Sequence, residues 1–312
     1  MKFLIAGSGA IGSSIGGFLH RCGEEVYFLG RGKHLEAMQK KGLHISGIWG
    51  EHHLENLKAF DSVNDLPDID VVLFTVKSYD TRTMAKLLSE RFGEKWVVSL
   101  QNGLGNWETI AEFFPEDRII GGRVIYGAEI VEPGHVKITV IADDTLIGPA
   151  FGGRETENFA IKLVDVFKRC GLPFRYEKNI RSYLWAKVLY NNALNPLGAI
   201  LSSNYGKMAD FKPLRDSMLE IIKETYSVGK KLGVKFLIEE PEDYFKHFIE
   251  KLIPPTYDHF PSMYHDLHQR GKTEIDALNG AISRYGKELG IPTPVNDLIT
   301  AMIKFLEKKH EE

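Results

Sequence analysis

The sequence predicts an α/β protein: a doubly wound, mostly parallel sheet at the N-terminus, then an all-helical C-terminal domain. Three observations carry this. Short apolar runs alternate with helical stretches over residues 1–178, a glycine cluster directly follows the first run, and residues 179–312 read as helix after helix. Strands that alternate with helices run parallel, because each helix returns the chain across one face of the sheet.

The elements follow in order. "KFLIAG" (2–7) is a short apolar run suited to a buried parallel strand, and the pattern turns helical from Ala10 to Arg21. "EEVYFLGR" (24–31), "DVVLFTVKS" (70–78) and "KWVVSLQNG" (95–103) are further strands, and a helical stretch follows each of the last two. "RIIGGRVIYGAEI" and "HVKITVI" add more strands, and Pro133-Gly134 between them marks an antiparallel turn. A helix near 155–170 and a strand at "FRYEKN" complete this domain near residue 178. Beyond it, helices are expected over 181–200, about 210–233, 241–252, 263–290 and 294–309, with Pro and Gly between them.

Composition narrows the function classes. At 312 residues, 43% hydrophobic and 26% charged, the chain can bury a sizeable core and suits two domains. A formal net charge of -3 provides no global field for nucleic acid or an anionic membrane. The N-terminal apolar run is too short for a signal peptide, and no stretch of about 20 apolar residues would span a bilayer. A soluble cytoplasmic protein is expected. Cys22 and Cys170 each precede a glycine where a helix ends, and read as incidental small apolar residues in a reducing compartment. His265 and His268 sit three apart without a third ligand at convincing spacing, so no metal site is expected.

Gly7, Gly9 and Gly12 in "AGSGAIG" match G-x-G-x-x-G between a strand and a helix, the context of a Rossmann-type dinucleotide site. Gly7 permits the tight turn, Gly9 lets backbone approach a pyrophosphate, and Gly12 allows close helix–sheet packing. The helix N-terminus then offers unpaired N–H groups to the phosphates. Where an NAD site carries an acid at the end of the second strand, this chain has Gly30, then Arg31, with Lys33 nearby. A guanidinium holds a 2′-phosphate that a carboxylate would repel, so the cofactor expected is NADP(H). Lys77 and Asn102 follow two further strands, at the ends where open α/β sheets bind ligands.

"LWAKVLYNNALNPLGAI" (184–200) reads as a helix apolar on nearly every side, yet Lys187, Asn191 and Asn195 recur four apart. Residues four apart advance about 40° around a helix, so the three share a strip about 80° wide. An all-round apolar helix is normally buried, and an unpaired buried ammonium costs several kcal/mol. Either Lys187 snorkels to water or the strip meets a polar ligand. Pro196 should kink or break the helix. A second polar set lies in "FPSMYHDLHQRGKTEIDALNGAI" (260–282): Ser262 at a plausible N-cap, then Glu274 and Asn279.

With "VKSYDT", "LQNGLGN", "WAKVLYNNALNPLGAI" and "PSMYHDLHQRGKTEIDALNG" in that order behind the glycine loop, the chain resembles the ketopantoate reductase family from residue 1 to about 303. The resemblance implies NADPH-dependent reduction of 2-dehydropantoate to (R)-pantoate, on the route to pantothenate and coenzyme A. It implies Lys187 as proton donor to the C2 oxygen. Asn191, Asn195 and Ser262 would bind the substrate's hydroxyl and carboxylate, and Asn102 would touch substrate and cofactor. Gly7, Ser8, Gly9, Ala10, Ile11, Gly12, Lys77 and Ala128 would belong to the NADP site, with Arg31 at the 2′-phosphate. Glu274 would take the place of the family's acid that helps position cofactor and substrate. One stretch departs: "LSSNYGKM" has Tyr205 before Gly206 where members often show Asn-Gly, and Asn204 stands one place early. A phenol there could narrow the pocket, which keeps open a related reductase of another branched 2-oxo acid or 3-hydroxy acid. A non-catalytic NADP(H) sensor is the rival from another class. The helical half has enough apolar surface for a homodimer, although a monomer would read the same.

Overall fold

The apolar run after Met1 forms β1 (Lys2–Ala6), whose Phe3, Leu4, Ile5 and Ala6 are fully buried. A strand covered on both faces has no polar side to show, hence a continuous apolar run rather than an alternating one. In the computed structural model, which describes residues 1–311, the chain continues through α1 (Ala10–Arg21), β2 (Glu25–Leu29), α2 (Gly32–Lys41), β3 (Leu43–Gly47), β4 (His52–Leu54) and β5 (Lys58–Phe60). Next come β6 (Val71–Phe74), α3 (Thr81–Phe92), β7 (Trp96–Ser99), α4 (Asn106–Ala111) and β8 (Ile119–Arg123). This part ends with β9 (Tyr126–Glu132), β10 (His135–Ile141), β11 (Thr145–Pro149), α5 (Arg154–Arg169) and β12 (Phe174–Tyr176).

Eight strands form one sheet in the order β12-β11-β8-β7-β6-β1-β2-β5. Its pairings are parallel except for β8 with β11. The chain leaves β1 toward β2 and later returns to β6 on the other side, so the strand order reverses between β1 and β6. That switch point is where open sheets of this kind bind ligands.

The run 118–130 does not stay in this sheet. It divides into β8 and β9, and β9 joins a second sheet of order β4-β3-β10-β9. The Pro133-Gly134 turn joins β9 and β10 antiparallel, as expected, with Gly134 at φ +85°. Glycines on α1 let both sheets close on it. A Cβ at Gly12 would come 2.8 Å from Ile5 Cγ2, and one at Gly17 would come 2.6 Å from Ile45 Cδ1 of the second sheet.

Cys22 and Cys170 are the C-cap residues of α1 and α5, and they are joined in a disulfide with their Cα atoms 5.1 Å apart. This corrects their reading as incidental apolar residues. The pairing depends on two helix ends meeting across 148 residues of sequence, which no local pattern reports.

From Ile180 onward the chain is helical: α6 (Ile180–Leu201), α7 (Tyr205–Asp210), α8 (Lys212–Lys231), α9 (Pro241–His247) with a π-helical turn at Phe248–Leu252, α10 (Ser262–Arg270), α11 (Asn279–Leu289) and α12 (Pro294–Glu311). Two compact units result, one of residues 1–102 and 106–180, the other of Gly103–Gly105 and the chain from Arg181 onward. Leu189, Ala193 and Leu194 of α6 pack with Met218, Ile221, Ile222 and Tyr226 of α8 in the helical core. Among the described residues no helix is long and apolar enough to cross a membrane.

One helix expectation is corrected and another loses one of its two alternatives. The stretch 263–290 is two helices, because Gly271 takes the left-handed conformation (φ +64°) that ends α10, and a 3-10 turn at Ile275–Ala277 precedes α11. Nor does Pro196 break α6, which runs on to Leu201. Proline removes the N–H that the Asn192 carbonyl would have received. The Asn279 side chain supplies the missing donor, with Nδ2 at 3.1 Å from that carbonyl and 3.0 Å from Asn296 Oδ1. Asn296 Nδ2 in turn donates to Glu224 Oε2 (2.6 Å), whose carboxylate also accepts the backbone N–H groups of Val295 and Asn296 in the first turn of α12. One chain of polar groups thus fastens α6, α11, α12 and α8.

Asn279→Ala is expected to strand two buried acceptors, at about 1–3 kcal/mol each. The melting temperature should fall by roughly 5–10 °C. In a Pro196→Ala background the restored N–H can take the Asn192 carbonyl, so the same substitution should cost about 1 kcal/mol less. Calorimetry on the four proteins measures that coupling, and strict additivity would refute the account.

Candidate active site

The nucleotide loop is set by the end of β1. Gly7 and Ser8 N–H both donate to the Leu29 carbonyl, at 3.0 and 3.1 Å, which ties the loop to β2. Gly7 sits at φ +109°, and a Cβ there would lie 2.6 Å from the Val76 nitrogen, so only glycine fits. A Cβ at Gly12 would come 2.3 Å from the Gly7 carbonyl oxygen, so the turn closes on the helix. Gly9 is different: a Cβ there would meet nothing within 4 Å. It caps α1 without a side chain, and the first turn carries no acid. The open side and the free first-turn N–H groups of Ala10, Ile11 and Gly12 suit a pyrophosphate.

The loop after β6 leans on this turn. Thr75 Oγ1 donates to the Gly7 carbonyl at 2.8 Å, and Lys77 follows, half-buried, ahead of a 3-10 turn at Ser78–Asp80. A clamp absent from the sequence reading holds this loop to the one after β7. Gln101 Nε2 donates to the Val76 carbonyl (3.0 Å) and to Thr81 Oγ1 (2.6 Å), and Thr81 donates to Asn106 Oδ1 (2.9 Å). Asn106 Nδ2 then donates to the Asn102 carbonyl at 2.8 Å, which fixes that half-buried residue's backbone. Gln101 precedes Asn102, but the two acceptors of its Nε2 lie 25 and 20 residues away, so no spacing signal marks the clamp.

At the end of β2, a Cβ on Gly30 would come 3.2 Å from Ser8 Cβ, so an acid there would crowd the phosphate loop. Arg31 follows as the N-cap residue of α2, its side chain 87% exposed and paired with Asp80 at 3.2 Å. Such a pair is worth at most about 1 kcal/mol, so the guanidinium can turn to an anionic ligand. Ala128 lies in β9, in the smaller sheet.

In the helical unit, the strip on α6 is as the periodicity drew it. Lys187 is half-buried, and Asn191 and Asn195 are 8% and 4% exposed. Apolar neighbours Leu184, Trp185, Val188, Leu189, Ala193 and Leu194 are buried beside it. Three residues past Asn195, Gly198 touches the start of α10: a Cβ there would come 2.5 Å from Pro261 Cγ. That contact brings the N-terminus of α10 against the Asn195 end of the strip. Ser262 is the first helical residue of α10 and is exposed, with Pro261 in the capping position, which corrects the expected Ser262 cap. Pro261 is extended (φ -64°, ψ 146°), and its fixed φ sets where the helix begins.

Glu274 is buried immediately before the 3-10 turn, and its predecessor anchors it. Thr273 donates through N–H (2.7 Å) and Oγ1 (2.6 Å) to Glu307 Oε1 of α12. Leu104 N–H donates to the Ala277 carbonyl at 2.7 Å, so the Gly103–Gly105 segment after Asn102 belongs with this unit.

The sequence matches the family described as ketopantoate reductase PanE/ApbA over residues 3–151 and its C-terminal counterpart over residues 179–307. The chain belongs to the ketopantoate reductase family. As a member of that family it is an oxidoreductase. This ketopantoate reductase relative is 42% identical over 309 residues to the 2-dehydropantoate 2-reductase of Aquifex aeolicus strain VF5, a match covering 98% of this chain and 97% of that protein. The solved structure of a PanE/ApbA family ketopantoate reductase from Ralstonia eutropha JMP134 superposes with a TM-score of 0.89 at 30% identity, covering both chains completely. D-mandelate dehydrogenase with NADH and anilino(oxo)acetate also superposes with a TM-score of 0.89, at 27% identity, covering 100% of this chain and 99% of that one. Its ligand is named as an oxo acid bearing an aromatic substituent. The scaffold is therefore shared by proteins named as a ketopantoate reductase and as a D-mandelate dehydrogenase.

Proposed function

We propose that the protein is a 2-dehydropantoate 2-reductase, a cytoplasmic enzyme of pantothenate and coenzyme A synthesis that uses NADPH. The amine-and-amide row on α6 carries this reading, together with the full-length likeness to reductases of that name. Gly7, Ser8, Gly9, Ala10, Ile11 and Gly12 would hold the pyrophosphate, with Arg31 at the 2′-phosphate and Lys77, Asn102, Ala128 and Glu274 completing the cofactor's contacts. The nicotinamide, when bound, supplies the hydride to C2.

The chain's own residues do the rest. As C2 accepts an electron pair, its carbonyl oxygen gains negative charge. The Lys187 ammonium stabilises that charge and gives up the proton that completes the alcohol. Asn191, Asn195 and Ser262 bind carboxylate and hydroxyl oxygens through neutral groups, so they orient the acid without competing as proton donors. Glu274, held by the Thr273–Glu307 contact, positions substrate and cofactor. The burial of Asn191 and Asn195 strengthens their polar contacts, because these form away from bulk water.

The deciding experiment is NADPH oxidation with 2-dehydropantoate beside pyruvate-like and other branched 2-oxo acids, with NADH as control. Selective turnover of 2-dehydropantoate is expected. Turnover of a different acid would transfer the same mechanism to that substrate, and tight NADPH binding without turnover would favour a sensor. Arg31→Ala should raise KM for NADPH by about 10- to 100-fold, the value of a charge-assisted contact, and leave KM for NADH within about twofold. Equal effects on both cofactors would remove Arg31 from the 2′-phosphate.

A further inference from the structure

Tyr205, the residue that departs from the family's pattern, is 4% exposed, and its hydroxyl donates to Asn195 Oδ1 at 2.9 Å. The geometry points to a positioning role: we propose that Tyr205 fixes the Asn195 side-chain amide with its carbonyl turned to the phenol, so that Nδ2 is the group offered to the 2-oxo acid. This rests on the reading of the α6 strip as the substrate-binding row.

The phenol is held from several sides. Its own backbone N–H donates to the His259 carbonyl (3.1 Å), and the next residue, Gly206, donates to the Tyr257 carbonyl (2.8 Å). The ring meets Tyr190 edge-on at 5.8 Å between centroids and lies 5.3 Å from the His259 ring. Tyr190 is itself pinned, its hydroxyl 2.8 Å from Thr256 Oγ1. Asn204 caps α7 by accepting from Lys207 N–H at 3.0 Å, which fixes the turn that delivers Tyr205. Burial, with Tyr190 adding to it, keeps the Tyr205 hydroxyl protonated well above the ordinary range of a phenol. It is therefore a permanent donor and needs an acceptor.

An asparagine amide presents a carbonyl on one side and an amino group on the other, and a half-turn of its last torsion exchanges them. Left alone, both faces would be sampled. The buried phenol O–H needs an acceptor and only the amide's carbonyl face supplies one, so the opposite face is a donor. That is the correct polarity for a carboxylate or hydroxyl oxygen, and the wrong one for an ammonium in the same place. The same residue joins α6 to the segment that runs from His259 through Pro261 to Ser262. Asn195 and the segment that leads to Ser262 thus both meet one residue.

Tyr205→Phe keeps the ring, its packing and both backbone contacts, and deletes only the donor. With the wild-type enzyme's own best 2-oxo acid, KM is expected to rise about 10- to 50-fold, the value of one mis-set polar contact, with kcat within about threefold and KM for NADPH unchanged. The decisive readout is the cycle with Asn195→Ala. In that background Tyr205→Phe should change KM by less than about twofold, because there is no amide left to orient. An additive effect in the double variant, or an unchanged KM in the single one, overturns the proposal. A fall in kcat and NADPH affinity together would show general disorder and also count against it. Absence of 2-oxo acid turnover in the wild type would defeat the functional reading first, which keeps the two failures distinct.

Discussion

Lys187→Ala is expected to cut kcat by about 10²- to 10⁴-fold, the usual contribution of a positioned proton donor. NADPH binding, followed by fluorescence or calorimetry, should stay within about threefold, because the glycine loop and Arg31 belong to the other unit. The expectation follows from the chemistry of the α6 row. Reduction places a full charge on an oxygen, and among the three polar groups of that row only the amine can neutralise it and then part with a proton. Lys187→Arg should fail almost as badly. A guanidinium keeps the positive charge but does not deprotonate in this pH range, so it can stabilise the oxyanion and still not complete the alcohol. The pair of variants separates the electrostatic part from the proton-transfer part. A Lys187→Ala enzyme with near-normal turnover would sink the mechanism.

Reducing the Cys22–Cys170 disulfide is the second large effect. It closes a loop across 148 residues, nearly the whole of the first unit. A cross-link of that span removes unfolded-state entropy worth about 4–5 kcal/mol. Its ends are the C-caps of α1 and α5, so the bond pins the far end of the helix whose N-terminus carries the phosphate loop. A melting scan with and without a thiol reductant, together with Cys22→Ser, should show the first unit melting several degrees lower in both cases. Two thiols that titrate freely in the oxidised protein, with no response to reductant, would show that the bond does not form. The bond also bears on location, because most cytoplasmic proteins keep such thiols reduced. Mass spectrometry of protein quenched in acid tests whether it persists in the cell.

Much of the molecule was legible without coordinates because it is written in short-range patterns. The apolar runs of β1 and β6 announce strands buried on both faces. The spacing of Gly7, Gly9 and Gly12 announces a turn that must close on a helix. The four-residue recurrence of Lys187, Asn191 and Asn195 announces a polar line on one side of α6, since 3.6 residues per turn makes it so. These features depend on neighbours within about a dozen residues, and local sterics and burial decide them.

Other features were decided by the tertiary structure alone. The second sheet is assembled from strands of three to seven residues, with β3 beside β10. Pro196 does not break α6 because Asn279, 87 residues from the Asn192 carbonyl, supplies the missing donor. The Gln101–Thr81–Asn106 clamp, the Thr273–Glu307 anchor and the Tyr205–Asn195 bond each join residues whose spacing carries no periodic signal. The two cysteines looked alike and unremarkable until the ends of α1 and α5 met. By itself, the sequence determined which residue types stand in a row and which loops follow which strands, because backbone geometry and burial act locally. Which groups face one another, and therefore which donor meets which acceptor, was settled only when distant segments packed, because a hydrogen bond or a disulfide forms only within a few ångströms whatever the distance along the chain.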